Sequence, residues 1–239
     1  MAPTAAQADA ANPILVELFT SQGCSSCPPA DAFLHELAER DDVIALSLPV
    51  DYWDYLGWKD TLAMPAFTQR QQAYAKQLHL RGVYTPQMII DGVTDAVGSR
   101  RRHVERAIEL RAEMIGTRRV PITAIDQGAA ITIHIGAGEP PKHEATLWLA
   151  RYNRRMPIDI TRGENAGKTV IYTNVVRELT PIGMWNGAAL ELRLPKSSLR
   201  AQGYDGAAII LQDDDTGPVL GATRLVTEWL TPEKAAATP

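Results

Sequence analysis

Cysteine is scarce in this chain: Cys24 and Cys27 are the only two among 239 residues. A single pair cannot build the framework of bridges that holds small secreted domains together. It also excludes the usual zinc sites, which need a second cysteine pair or two closely spaced histidines; His35, His79, His103, His134 and His143 form no such pair. No apolar run approaches the roughly 20 residues of a membrane-spanning helix. Residues 1–13 lack the basic start and apolar stretch of a signal peptide. An excess of positive charge is missing too: the formal net charge of -4 recommends no nucleic-acid partner.

What is present is the composition of a globular protein, 45% hydrophobic and 22% charged, long enough for two domains. Residues 1–13 read as a disordered leader, or as the stump of a trimmed signal, since Ala-Gln-Ala and Ala-Asp-Ala resemble small-residue cleavage sites. A periplasmic or secreted setting is favoured over the cytoplasm.

Ile14 to Phe19 is short, apolar and β-prone, which suits a buried strand. From Pro28 the period changes to helical, with Ala30, Phe33, Leu34 and Leu37 on one stripe. The cysteines therefore fall on a strand-to-helix turn. Val43 to Val50 predicts a second strand, and Ala66 to Leu80 a helix with Phe67, Tyr74 and Leu78 inward and Gly82 as its stop. Gln87 to Asp91 and Thr94 to Val97 predict a hairpin, and Arg101 to Ile115 a closing helix. From Val120 onward apolar and polar residues alternate, in runs at 131–135, 145–150, 169–176, 190–194, 207–211 and 219–226. Such spacing predicts an all-β sandwich-like or barrel unit. The expected division is an α/β domain of order β-α-β-α-β-β-α over 14–116, a β domain over 120–230, and a flexible tail over 231–239.

A dithiol with two-residue spacing at a helix start suits redox chemistry, because unpaired N–H groups and the helix dipole favour the thiolate. Cys24 is the expected nucleophile and Cys27 the resolving sulfur. Pro28 and Pro29 remove two donors from that turn, so the expected pKa depression is moderate. No cofactor is required beyond the Cys24–Cys27 pair, and the expected partner is a protein or small-molecule thiol or disulfide. Two thiolates also suffice for Cu(I), with Met64, Met88 or His79 as further ligands, so a copper-delivery module is an alternative. A redox-inactive interaction scaffold is another.

DYWDYLGWKD, residues 51–60, follows the second strand without periodicity. Tyr52, Trp53, Tyr55 and Trp58 could line a substrate surface or pack over a core. RGENAGKT (162–169) lacks the first glycine of a phosphate loop and precedes a β run, so it reads as a turn. Asp213 to Asp215 likewise read as a hairpin turn, and the arginines at 100–102, 106, 111, 118 and 119 as a solvated or docking face.

FTSQGCSSC (19–27) resembles the aromatic-Thr-x-x-Gly-Cys-x-x-Cys stretch of glutaredoxins. TPQMIIDGVTDAVGS (85–99) resembles the segment around their cis-proline. As a whole the chain is similar to a bacterial family, domain of unknown function 1223, that couples a thioredoxin-like module to a C-terminal β domain. The resemblance implies that Pro86 is cis, that Thr85 offers its backbone to the incoming thiol or peptide, and that Glu17 is a buried carboxylate shuttling a proton to Cys27. A strand glutamate in solvent or in a local salt bridge is the alternative for Glu17. Three departures stand out: the long 51–60 insertion, Ser25-Ser26 between the cysteines, and Arg100 to Arg102 where glutaredoxins carry the acids that hold glutathione.

Overall fold

A computed structural model describes residues 13–199 and 203–230. The tail expected over 231–239, and all but the last residue of the leader, lie outside the described residues. β1 (Ile14–Thr20), α1 (Pro28–Ala38), β2 (Val43–Pro49), α2 (Pro65–Gln77), β3 (Gln87–Ile90), β4 (Thr94–Val97) and α3 (Arg101–Ile115) follow in that order. Then come β5 (Ile122–Asp126), β6 (Ala130–Ile135), β7 (Ala145–Ile160), β8 (Lys168–Trp185), β9 (Leu190–Pro195), the single turn α4 (Lys196–Leu199), β10 (Gly206–Asp213) and β11 (Val219–Arg224). α2 ends before the expected Leu80, because His79 takes a left-handed conformation at φ 53°.

The architecture is mixed α/β, with an eight-stranded sheet of order β11-β10-β7-β8-β2-β1-β3-β4 and a three-stranded sheet of order β5-β6-β9. β1 runs parallel to β2 and antiparallel to β3. β8 meets β2 at one pairing, Ser47 with Val175, so the large sheet is two ribbons joined at a seam.

Alternation along β1 decides what each face of the sheet packs against. Ile14, Val16 and Leu18 share a cluster with Phe33, Leu34 and Leu37 of α1 and Val104 and Ile108 of α3. Leu15 and Phe19 point the other way, into a cluster with Phe67 and Tyr74 of α2, Ala150 and Tyr152 of β7 and Ile210 of β10. Beyond it, Leu147, Leu149, Ile209 and Leu211 use the opposite face of β7 and β10 to pack against Ile122, Ile131 and Ile133 of the small sheet. One continuous apolar layer therefore joins the α/β part to the β-rich part.

β7 and β8 form a long antiparallel ribbon whose pairing runs from Ala145–Trp185 to Ile160–Lys168. β10 stays with β7 only as far as Tyr152. Past that point the ribbon projects beyond the sheet. Its outer half packs Ile160, Val170 and Tyr172 against Leu62, with Trp58 alongside, and its tip arrives at the dithiol turn.

Candidate functional site

β1 ends at Thr20 and α1 begins at Pro28, so the seven residues between them form the turn that carries both cysteines. Cys24 and Cys27 are joined in a disulfide with a Cα–Cα distance of 5.4 Å. Cys27 is the N-cap of α1, and Pro28 and Pro29 fill the first helical positions, where a missing N–H does least harm. The two sulfurs are not equivalent. Cys24 is 6% exposed, whereas Cys27 is fully buried, and the two serines between them, Ser25 and Ser26, are exposed. An incoming group meets Cys24 first.

The polar backbone of this turn is accounted for almost group by group. Cys24 N donates to Ser21 O at 3.1 Å, Gly23 N to Ser21 Oγ at 3.1 Å, and Gln22 N to Asp60 Oδ2 at 2.7 Å. Cys27 N and Asn165 Nδ2 both donate to Cys24 O, at 3.2 and 2.8 Å. Asp60 is buried and also accepts from Leu62 N and Ala63 N, and burial raises its pKa.

Burial leaves one carboxyl exceptional. Asp31 lies one helical turn beyond Cys27, with its amide donating to Cys27 O at 3.1 Å. Positions four apart share a helix face, and helical side chains lean back toward the N-terminus, which directs the carboxyl toward the cysteine turn. Asp31 is 2% exposed, and neither carboxylate oxygen has a hydrogen-bond partner among the described residues. The Thr20 hydroxyl faces it without meeting hydrogen-bond geometry. Burial pushes this carboxyl up to about 8, with Thr20 opposing the rise and the Asp60 charge adding to it. Tyr172 of β8 feels both acids, and its phenol is raised, by burial first.

Glu17, expected beneath the dithiol, points to the opposite face of the sheet, between Leu15 and Phe19. It is buried and ion-paired with Arg70 of α2 at 2.8 Å, and it accepts the Tyr74 hydroxyl. Arg70 also reaches Gln212 Oε1 and Asp215 O. The pair links α2 to β1 across 53 residues of sequence, so it is neither local nor solvent-facing. Glu17→Ala leaves a buried guanidinium without its counter-charge and is expected to cost about 3–5 kcal/mol. Urea denaturation measures that loss, while alkylation of the reduced dithiol keeps its wild-type pH profile.

The 51–60 insertion does reach the dithiol, through Trp53 and Trp58. Trp53 Nε1 donates to Thr85 Oγ1 at 2.7 Å, and a β carbon at Gly23 would stand 3.2 Å from Trp53 O. Trp53 therefore bridges the cysteine turn and the Thr85–Pro86 peptide, which is cis. Trp58 Nε1 donates to Gln22 Oε1 at 2.7 Å. Tyr55 is 75% exposed and stacks at 6.2 Å from Trp53, whereas the buried Tyr52 hydroxyl is held up at about 12 by burial. Of the further copper ligands considered, Met88 is buried in the core on β3. Met64 precedes α2 and His79 follows it, a helix apart and so roughly 20 Å from one another.

Sequence reasoning missed Asp31 and Asn165. The signal for Asp31 was its place on the apolar stripe, four residues after Cys27 and three before Leu34. For Asn165 there was none, because only the pairing of two long strands carries the 161–167 turn to the cysteines.

The family model described as "Protein of unknown function (DUF1223)" matches residues 15–212. Among curated proteins none matches. The X-ray structure of protein AGR_C_4864 from Agrobacterium tumefaciens is similar at 34% identity, over 92% of this chain and 96% of that one, with a TM-score of 0.79. HBP35 of Porphyromonas gingivalis is similar in fold alone, at 13% identity and TM-score 0.62 over 97% of this chain and 81% of that one.

Proposed function

The chain belongs to the family of unknown function 1223, and from the geometry of its cysteine turn we propose that it carries out thiol–disulfide exchange, through a thioredoxin-like module with Cys24 as nucleophile and Cys27 as resolving sulfur. The observation that carries the reading is the asymmetry of the pair: Cys24 keeps 6% exposure, whereas Cys27 is fully buried, one helical turn before Asp31, whose carboxyl burial raises to about 8.

The steps balance without a cofactor. In the reducing direction the Cys24 thiolate attacks one sulfur of a substrate disulfide, forms a mixed disulfide and expels the other sulfur as a thiolate. Cys27 then gives its proton to ionised Asp31 and attacks the Cys24 sulfur. The Cys24–Cys27 disulfide forms, and the second substrate thiolate leaves. In the oxidising direction a substrate thiolate attacks Cys24 to form a mixed disulfide, and Cys27 departs as a thiolate and takes the proton of protonated Asp31. A second substrate thiolate then attacks the substrate sulfur, forming the substrate disulfide and expelling the Cys24 thiolate. A group with pKa near 8 serves in both directions close to neutral pH.

Thr85, beside cis-Pro86 and oriented by Trp53, is the proposed backbone partner of the substrate, and the exposed Tyr55 its aromatic contact. The β-rich residues 120–230 are read as the second domain, which presents or selects that substrate.

The test is a titration of the pair against glutathione buffers, read by counting thiols. Exchange predicts one two-electron transition, about 30 mV per tenfold change in ratio. Failure of the reduced, native protein to react with an alkylating reagent at either sulfur would refute the proposal.

A further inference from the structure

The turn between β7 and β8 is exposed at Arg162, Gly163, Glu164, Ala166 and Gly167, yet Asn165 in its middle is 1% exposed. Its amide is fully used. Nδ2 donates to Gln22 O at 2.9 Å and to Cys24 O at 2.8 Å, and Oδ1 accepts from Lys168 Nζ at 2.9 Å. Glu164 beside it accepts from Ser25 N, at 3.3 Å. Gly163, at φ 75°, lies so close to the insertion that a β carbon would stand 3.1 Å from Trp58 Cβ. A strand hairpin rooted in the β-rich half thus grips the cysteine turn at Gln22, Cys24 and Ser25.

Resting on the exchange reading above, we infer that this hairpin tip positions the dithiol: Asn165 holds the Gln22 and Cys24 carbonyls, Glu164 holds the Ser25 amide, and together they set how readily Cys24 reacts. Asn165 is a positioning residue, acting through the backbone of the turn. Its two N–H groups cover the negative ends of two carbonyls beside Cys24, which favours a thiolate there. Glu164 has the opposite sign of effect. It brings a negative charge to the turn and occupies an N–H that would otherwise be free beside the sulfur. The other titratable groups around the turn are Lys168 on the hairpin, Asp54 and Asp60 on the insertion, Asp31 on α1 and Tyr172 on β8.

The experiment is the pH–rate profile for alkylation of reduced Cys24 in the full chain, with iodoacetamide as reagent, together with the midpoint of the glutathione titration. Asn165→Ala is expected to move the profile to higher pH and slow alkylation at pH 6.5 about tenfold. Glu164→Gln is expected to move it to lower pH and speed the reaction about threefold, a gain that shrinks in 1 M salt. The opposed directions separate positioning from damage to the fold, which would move both variants alike. Because Glu164 is exposed, its variant carries the test even where Asn165→Ala unfolds. Two variant profiles that superimpose on wild type, or that shift the same way, overturn the inference and leave the exchange reading intact. A wild-type Cys24 without a thiolate-dependent rate overturns both.

Discussion

Reduced Cys27→Ser, offered a disulfide substrate, is expected to accumulate as a stable mixed disulfide through Cys24, whereas Cys24→Ser captures nothing and neither variant turns over. The cause is the division of access. The attacking sulfur must be reached from outside, and of the two cysteines only Cys24 keeps any exposure, 6%. Cys27 is sealed at 0% exposure and can react only with a sulfur already attached to Cys24. The result also separates exchange from a structural bridge. Closing a loop of so few residues stabilises the fold by only about 2 kcal/mol, so both variants remain folded on the apolar clusters around β1. A bridge that merely held the turn together would lose stability and trap no partner. Gel analysis under non-reducing conditions, with and without added thiol, reads the outcome directly, and equal capture by both variants would remove Cys24 from the nucleophile's place.

The elements nearest the cysteines were legible because their signals are local. β1, α1 and α3 announce themselves through apolar period and helix-start prolines, and α3 spans the Arg101–Ile115 that its stripe predicts. The β-rich half was legible in kind but not in extent. β8 runs from Lys168 to Trp185, well past the alternating core at 169–176, because Arg177, Glu178 and Thr180 lie on a ribbon whose faces are covered by elements distant in sequence. β5 went unseen: Ile122 to Asp126 is five residues long, follows Pro121, and acquires strand character only by pairing with β6. The same limit hid half of the candidate site. Cys24, Cys27, Thr85 and Pro86 belong to patterns a few residues long. Asn165 reaches Cys24 across 141 residues, and nothing in a hairpin turn foretells what its tip will touch. Glu17 misled for a simpler reason: a strand has two faces, and the parity that takes Leu15 and Phe19 away from α1 takes Glu17 with them.

Asp31→Asn is expected to do two opposite things, and the opposition is what identifies a proton carrier. The folded pKa of Asp31, about 8, lies above the ordinary 3.8 of the unfolded chain. Below pH 4 both states hold the proton and the group contributes nothing. Between pH 4 and pH 8 the unfolded state ionises while the folded state does not, so stability falls as pH rises, by about 1.4 kcal/mol per unit. Above pH 8 both states are ionised and the penalty stops growing. At pH 7 this amounts to a cost on the order of 4 kcal/mol, carried by a carboxyl with no hydrogen-bond partner among the described residues. Asparagine cannot ionise, so urea denaturation from pH 4 to pH 9 should show the variant gaining on wild type through that window. A constant cost for burying the amide displaces the curve without changing its slope. Exchange should move the other way. Without an acceptor beside Cys27, proton transfer falls to water that the buried site does not admit, and turnover at pH 7 drops about a hundredfold or more. A variant whose stability ran parallel to wild type across the whole pH range, or whose exchange was undiminished at pH 7, would make Asp31 an ordinary buried side chain and leave Cys27 without its proton acceptor.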